Sequence, residues 1–269
     1  MRKVIISITL AAVLVTSALF SGCEVTGPGG IVTKGEEVVT EEKDFTGFTY
    51  VDIEGTFEVE IIEADSFSTT VSADESFFDY VAVSKEGKTL RIYLNPRHTF
   101  TDFTLQAKTL KAKITMPALY GLRLSGASKA TVTGFKSSKD FSLNVSGASS
   151  LDIVDCEVDD VECEISGASE VTGNINADDV ECEISGASKV ELEGSANNII
   201  LNASGASKVN LDDFPLDNAN IHLSGASEAT VNVKGRLDCA VTAASRLYFQ
   251  GNPTMGNVSV TGASTIKHR

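Results

Sequence analysis

Through the second half of this chain, apolar and polar residues alternate on both sides of a small-residue turn. In VECEISGASEVTGNINADD, from Val161, the apolar Val161, Cys163 and Ile165 alternate with Glu162 and Glu164, and Val171 follows the turn. The next copy, VECEISGASKVELEGSANN from Val180, repeats the pattern with Val190 and Leu192. Alternation with period two marks a strand with one buried face. Each copy therefore predicts a strand, a tight corner, a second strand and a return segment.

The turn, SGAS or a close variant, begins at Ser125, Ser146, Ser166, Ser185, Ser204, Ser224, Thr242 and Thr261, at steps of 21, 20, 19, 19, 20, 18 and 19 residues. A unit of about 20 residues cannot close a core alone, but stacked neighbours can. The columns agree with stacking. Leu122, Leu143, Cys163, Cys182, Leu201, Ile221, Cys239 and Val258 share one apolar position. Ala130, Leu151, Val171, Val190, Val209, Ala229, Leu247 and Ile266 share another. The intervening column varies freely: Arg123, Asn144, Glu164, Glu183, Asn202, His222, Ala240 and Ser259. No 3.6-residue periodicity appears here, which excludes helical repeat arrays. The prediction is an all-β fold, a single-stranded right-handed parallel β-helix with rungs about 4.8 Å apart.

The first half is less regular. Val51 to Ile61 repeats the strand, glycine corner, strand pattern, and Thr69–Val71, Val81–Val83, Leu90–Leu94 and Lys113–Met116 read as further strands. EGKTL before Arg91 predicts a hairpin turn. Phe77, Phe78, Tyr80, Phe100, Phe103 and Tyr120 gather in this half and are expected to close the core at the first end. The region from about 44 to 269 reads as one domain.

The leader is distinct. Arg2 and Lys3 precede an apolar stretch from Val4 to Phe20, and Ser21-Gly22 sit directly before Cys23. That is a secretory signal layout over 1–22. LFSGC resembles a bacterial lipobox, although Phe20 stands where Leu is usual, and predicts lipidation of Cys23. Residues 23–43, rich in Gly, Thr and Glu, read as a flexible tether. The predicted location is extracytoplasmic, anchored to the envelope through lipid chains. Net charge is −15, and loss of Arg2 and Lys3 with the signal makes it more acidic. This argues against a nucleic-acid partner and favours solubility.

The pattern V-x-I-x-G-x-x-x-V-x-I at 51–61, the later VSADESFFDYV and KTLRIYLN, and the recurring SGAS together resemble the GIN domain, a family labelled as the head of autotransporter adhesins. The resemblance covers nearly the whole chain after Cys23. It implies a β-solenoid at the cell surface or envelope and carries no binding residues to transfer.

Three groups could carry chemistry. Ser128, Ser149, Ser169, Ser188, Ser207, Ser227, Ser245 and Ser264 end the eight turns. A nucleophilic serine needs a base and an orienting acid in one place, so eight equivalent copies predict a structural ladder and no catalytic residue. Asp159, Asp160, Asp178 and Asp179 stack on neighbouring rungs. Four close carboxylates repel one another unless bridged, which calcium could do. The plainer reading, preferred here, is solvated turn residues. Glu162, Glu164, Glu181 and Glu183 face outward, and we read them as a solvated strand face and not as an acid–base pair of the glycosidase kind. Cys163 and Cys182 share an inward column on adjacent rungs, near disulfide range. We read them as free thiols acting as small core hydrophobes, with the disulfide as the alternative.

Three functions follow. The first is a non-enzymatic, lipid-anchored envelope protein offering a long polar surface to a protein or glycan. The second is a carbohydrate-active β-helix enzyme, which would need long loops over one face; only Arg97–Lys113 and the segment around Leu211–Asn218 could extend that far. The third is a structural protein that self-associates through the ends of its solenoid.

Overall fold

The alternating segments all form strands in the computed structural model, which describes residues 37–95 and 110–269. The first part of the chain supplies β1 (Val38–Glu42), β2 (Tyr50–Gly55), β3 (Glu58–Glu63), β4 (Ser68–Asp74), a single helical turn α1 (Glu75–Phe78), β5 (Val81–Glu86), β6 (Thr89–Leu94) and β7 (Leu110–Met116). The repeats supply β8 (Gly121–Gly126), β9 (Lys129–Thr133), β10 (Phe141–Val145), β11 (Ser150–Glu157), β12 (Val161–Ile165), β13 (Glu170–Asn176) and β14 (Asp179–Ile184). They continue as β15 (Lys189–Ala203), β16 (Lys208–Leu223), β17 (Glu228–Val241), β18 (Arg246–Gln250), β19 (Thr254–Val260) and β20 (Thr265–His268).

Strands before the turn pair in parallel from β8 through β10, β12 and β14, then along the later halves of β15, β16 and β17 to β19. Strands after the turn do the same from β9 through β11 and β13, then along the earlier halves of β15, β16 and β17 to β18 and β20. A third row of pairings joins the return segments: Cys156 with Ile175, Ile175 with Gly194, Ala196 with Leu216, and Leu216 with Val233. The result is a parallel β-solenoid with three walls around one apolar interior. Both columns read from the sequence are in register. The first is buried from Leu122 to Cys239 and the second from Ala130 to Leu247. Each Leu, Ile or Val in these columns contributes about 2 kcal/mol when removed from water, and none could do so in an isolated rung. In the last rung Val258 and Val260 are exposed.

The first part is built differently. β2 pairs in parallel with β8 on one side and β6 on the other, and β3 pairs with β9 and β7 in the same way. The β6–β7 rung, later in the chain, thus lies outside the earlier β2–β3 rung. Antiparallel strands flank it: β5 on β6, β4 on β7 and β1 on β4. The β5–β6 hairpin turns through Gly87 at φ 60°, as EGKTL predicted. Aromatic side chains fill this end. Phe48, Phe57 and Phe77 are buried, Phe48 packs on Phe67 at 4.9 Å, and Phe77 packs on Tyr80 at 5.8 Å. Phe100 and Phe103 lie outside the described residues.

Two readings need correction. The predicted tether runs too far: Val38–Glu42 is a strand, because its backbone completes the ladder on β4, from Val38 opposite Asp74 to Glu42 opposite Thr70. The segment around Leu211–Asn218 does not extend as a loop. It stays within β16 as a bulge whose Phe214 is fully buried. The other loop candidate, Arg97–Lys113, falls mostly outside the described residues, as do the signal segment and Cys23.

Candidate functional site

Each corner is held by its own small residues. In the turn Ser166-Gly167-Ala168-Ser169, Ala168 N donates to Gly147 O of the rung before at 2.7 Å, and Ala187 repeats this onto Gly167 at 2.8 Å. The glycines sit at positive φ, 79° at Gly147 and 75° at Gly186, and a Cβ on either would lie 2.3 Å from the carbonyl oxygen of the glycine beneath. The stacking distance therefore demands glycine. The final serines are buried from Ser128 to Ser245 and half-buried at Ser264. Ser169, Ser188, Ser207, Ser227 and Ser264 donate to the carbonyl of the first turn residue at 2.6–2.9 Å. Ser128 does so at 3.4 Å, while the hydroxyls of Ser149 and Ser245 find no partner. From Ser128 to Ser245 these hydroxyls are enclosed within the corner, away from solvent.

The acidic corner is a hydrogen-bonded rail. Asp160 Oδ1 accepts from Asp179 N at 3.1 Å, and Asp179 Oδ1 accepts from Asn198 Nδ2 at 2.6 Å. Asn198 Oδ1 accepts from Asn218 Nδ2 at 2.9 Å, and Asn218 Oδ1 from Arg236 N at 3.1 Å. Asp159 and Asp178 join through backbone, Asp178 N donating to Asp159 O at 2.7 Å. Among the described residues no three His, Cys, Asp or Glu side chains converge so as to hold a metal ion.

Cys163 and Cys182 are joined by a disulfide, with Cα atoms 4.7 Å apart. This corrects the reading of both as free thiols. Exact register brings equivalent residues of adjacent rungs within cystine reach, and both point into the core. Cys156 and Cys239 remain as buried free thiols, and burial pushes both thiol pKa values up, which makes them poor nucleophiles.

The outward positions make the accessible surface. Glu162 lies opposite Glu181 and Glu164 opposite Glu183, all on one flat wall. Asn144 Nδ2 donates to Glu164 Oε2 at 2.7 Å, and His222 Nδ1 and Asn202 Oδ1 are hydrogen-bonded at 3.1 Å. Between this column and the first hydroxyls of the turns runs an open groove of about 650 Å³. It extends from Asn144 through Glu164, Glu183, Asn202 and His222 to Thr242. Asn144 also borders a second hollow of about 280 Å³, formed with Tyr50, Thr89 and Arg123. The two hollows share Asn144 in their linings.

The sequence reading missed Tyr50. It is 40% exposed on the outward face of β2, and its ring lies over Gly121, where an added Cβ would come within 2.6 Å of it. Its signal was visible only as an aromatic at a polar position of an alternating strand. On the wall after the turn, Lys189 bridges Glu170 at 2.9 Å and Glu191 at 3.1 Å, and both carboxylates raise its pKa. Lys111 and Glu58 pair at 2.8 Å. Charges of opposite sign on this wall pair with one another.

Solved bacterial structures share this architecture. A structure described as a putative lipid binding protein from Parabacteroides distasonis is 19% identical, with a TM-score of 0.75, covering 87% of this chain and 98% of its own. A putative adhesin from the same species is 15% identical with a TM-score of 0.76 over 87% and 98%. One from Parabacteroides merdae is 15% identical with a TM-score of 0.75 over 87% and 97%. At these identities the likeness concerns the fold. No curated protein matches the chain. Residues 47–253 match the family described as "Putative auto-transporter adhesin, head GIN domain". The match spans most of the chain, from the strand before the first glycine corner to the next-to-last rung, and the chain belongs to the GIN domain family.

Proposed function

We propose that this chain is a non-enzymatic, lipid-anchored envelope protein that presents one wall of its solenoid for adhesion. The carrying observation is the row of outward side chains from Tyr50 to Thr242, bordered by two hollows that share Asn144 and crossed by no long loop among the described residues. A rigid array of outward side chains at constant spacing suits repeated weak contacts to an extended partner, where no single pocket dominates. Membership of an adhesin-head family supports the same reading. The anchor is Cys23, acylated after cleavage at Gly22, with the residues up to the first strand setting the distance from the membrane.

Two measurements test it. In a bacterial host, an alkyne-palmitate label is expected on the wild-type protein and not on Cys23→Ser, which is expected in the soluble fraction. Equal labelling of the two would refute the anchor. Beads coated with the full chain are expected to adhere to bacterial or host-cell surfaces above uncoated beads, and failure to adhere to either would remove the adhesive role.

A further inference from the structure

Resting on that adhesive reading, we propose that the wall binds a linear, uncharged glycan that lies along the solenoid axis, with one sugar ring stacked on Tyr50. Three observations lead there. First, the backbone along the groove is not free to pair. Backbone N–H and C=O groups along this wall are engaged between rungs, so an extended peptide cannot add to the sheet here as it would at a strand edge. Second, the lining is matched to hydroxyl groups. Glu164 and Glu183 accept, Asn144 and Asn202 both donate and accept, and His222 follows one rung beyond. Hydrogen bonds to ionised groups are the stronger kind, and a polyol chain both donates and accepts. The outward column repeats at the rung spacing of about 4.8 Å, so a chain lying along the solenoid axis meets one polar side chain per rung from Asn144 to His222.

Third, Tyr50 supplies a platform. Its ring atoms Cδ1 and Cε1 pack against Gly121, and 40% of the residue is exposed in the hollow it shares with Arg123 and Asn144. An exposed aromatic face with a polar rim packs against the C–H face of a sugar ring, as amphipathic aromatics do where one side is apolar and the other wet. Charge sets the sign of the ligand. Paired glutamates on the wall and a net charge of −15 repel uronic or sulfated chains.

The full chain would be titrated calorimetrically with cellohexaose, laminarihexaose, xylohexaose, chitohexaose and hexagalacturonate. At least one uncharged hexasaccharide is expected to bind and hexagalacturonate not to. Tyr50→Ala is expected to weaken binding at least tenfold, Tyr50→Phe to retain it, and His222→Ala, at the far end, to weaken it about threefold. Because Tyr50 covers Gly121, melting curves of each variant accompany the titrations, and His222→Ala reports on the groove independently of that contact. Absence of binding to all four uncharged chains overturns the inference, as does binding that is undiminished in both Tyr50→Ala and His222→Ala. If coated beads still adhere after periodate oxidation of the target surface, the glycan is excluded while the adhesive reading stands. If they adhere to no surface, the adhesive reading itself falls.

Discussion

Rung β2–β3 and the rungs from β8 onward share one corner but fill it differently. Gly55 lies opposite Gly126 and Glu58 opposite Lys129, so Phe57 occupies the place taken by Ser128 one rung up. Phe57 N donates to Ser128 Oγ at 3.2 Å across the boundary. In the repeats a buried serine bonds back to its own turn. In the first part an aromatic ring is buried at that place, and the Leu94 side chain of the neighbouring β6 approaches the same corner. The contrast shows what stacking permits. A rung between two identical neighbours can use a small corner residue, because register supplies the packing. A rung next to a closing segment of different design needs bulk to fill irregular space.

The largest effect is expected where this contrast is broken directly. Phe57→Ser, which writes the repeat's residue into the first part, is expected to cost about 4 kcal/mol in urea unfolding, the range of large-to-small core changes. The reciprocal deletion, Ser188→Ala, removes one turn hydrogen bond and is expected to cost about 1 kcal/mol. Equal losses would mean that the two corners are not energetically distinct. Next come the glycines. Gly186→Ala places a Cβ 2.3 Å from Gly167 O, whereas Gly47, also at positive φ (70°), has no atom within 4 Å of its Cβ position. Gly186→Ala is expected to lower stability by about 3 kcal/mol and Gly47→Ala by about 1 kcal/mol, the span of left-handed strain with and without a clash. Similar melting temperatures for the two variants would show that rung spacing does not constrain the corner.

The disulfide belongs to the repeats, where it ties β12 to β14. Replacing both Cys163 and Cys182 with Ala is expected to cost about 2–3 kcal/mol, from a loop of modest length and from the volume lost. Reductant is expected to destabilise the wild type and leave the double variant unchanged; equal sensitivity of the two would argue against the bond. The smallest effect concerns acid at the last rungs. Arg236 hydrogen-bonds Asp238 and Asn257 N donates to it, which lowers the Asp238 pKa to about 2. A depressed carboxylate contributes stability that is present above its unfolded pKa and lost as pH falls through the folded value. Asp238→Asn is therefore expected to narrow the gap in melting temperature to wild type between pH 4 and pH 2. A gap unchanged across that window would show that the pair contributes nothing.

Much of the repeat half was legible. The columns through Cys163 and Val171 and the outward column through Glu164 are as the alternation predicted, because period two assigns the inward face without reference to partners. Tyr50 was not legible as a platform. Its role depends on Gly121, 71 residues later in the chain, lying directly beside it. Nor could spacing alone separate a disulfide from two core thiols at Cys163 and Cys182, since the sequence places both in one column without giving their distance.

The sequence by itself determined the unit: which residues face inward, where the chain turns, and that the units must stack to bury their apolar sides. Tertiary structure alone decided the order of stacking at the first end, where the β6–β7 rung lies outside β2–β3 and antiparallel strands flank it. The physical reason is that alternation states which face of a strand is buried but is silent on its neighbour. Choice of neighbour depends on long-range packing of bulky residues such as Phe48 and Phe57, which no local pattern records.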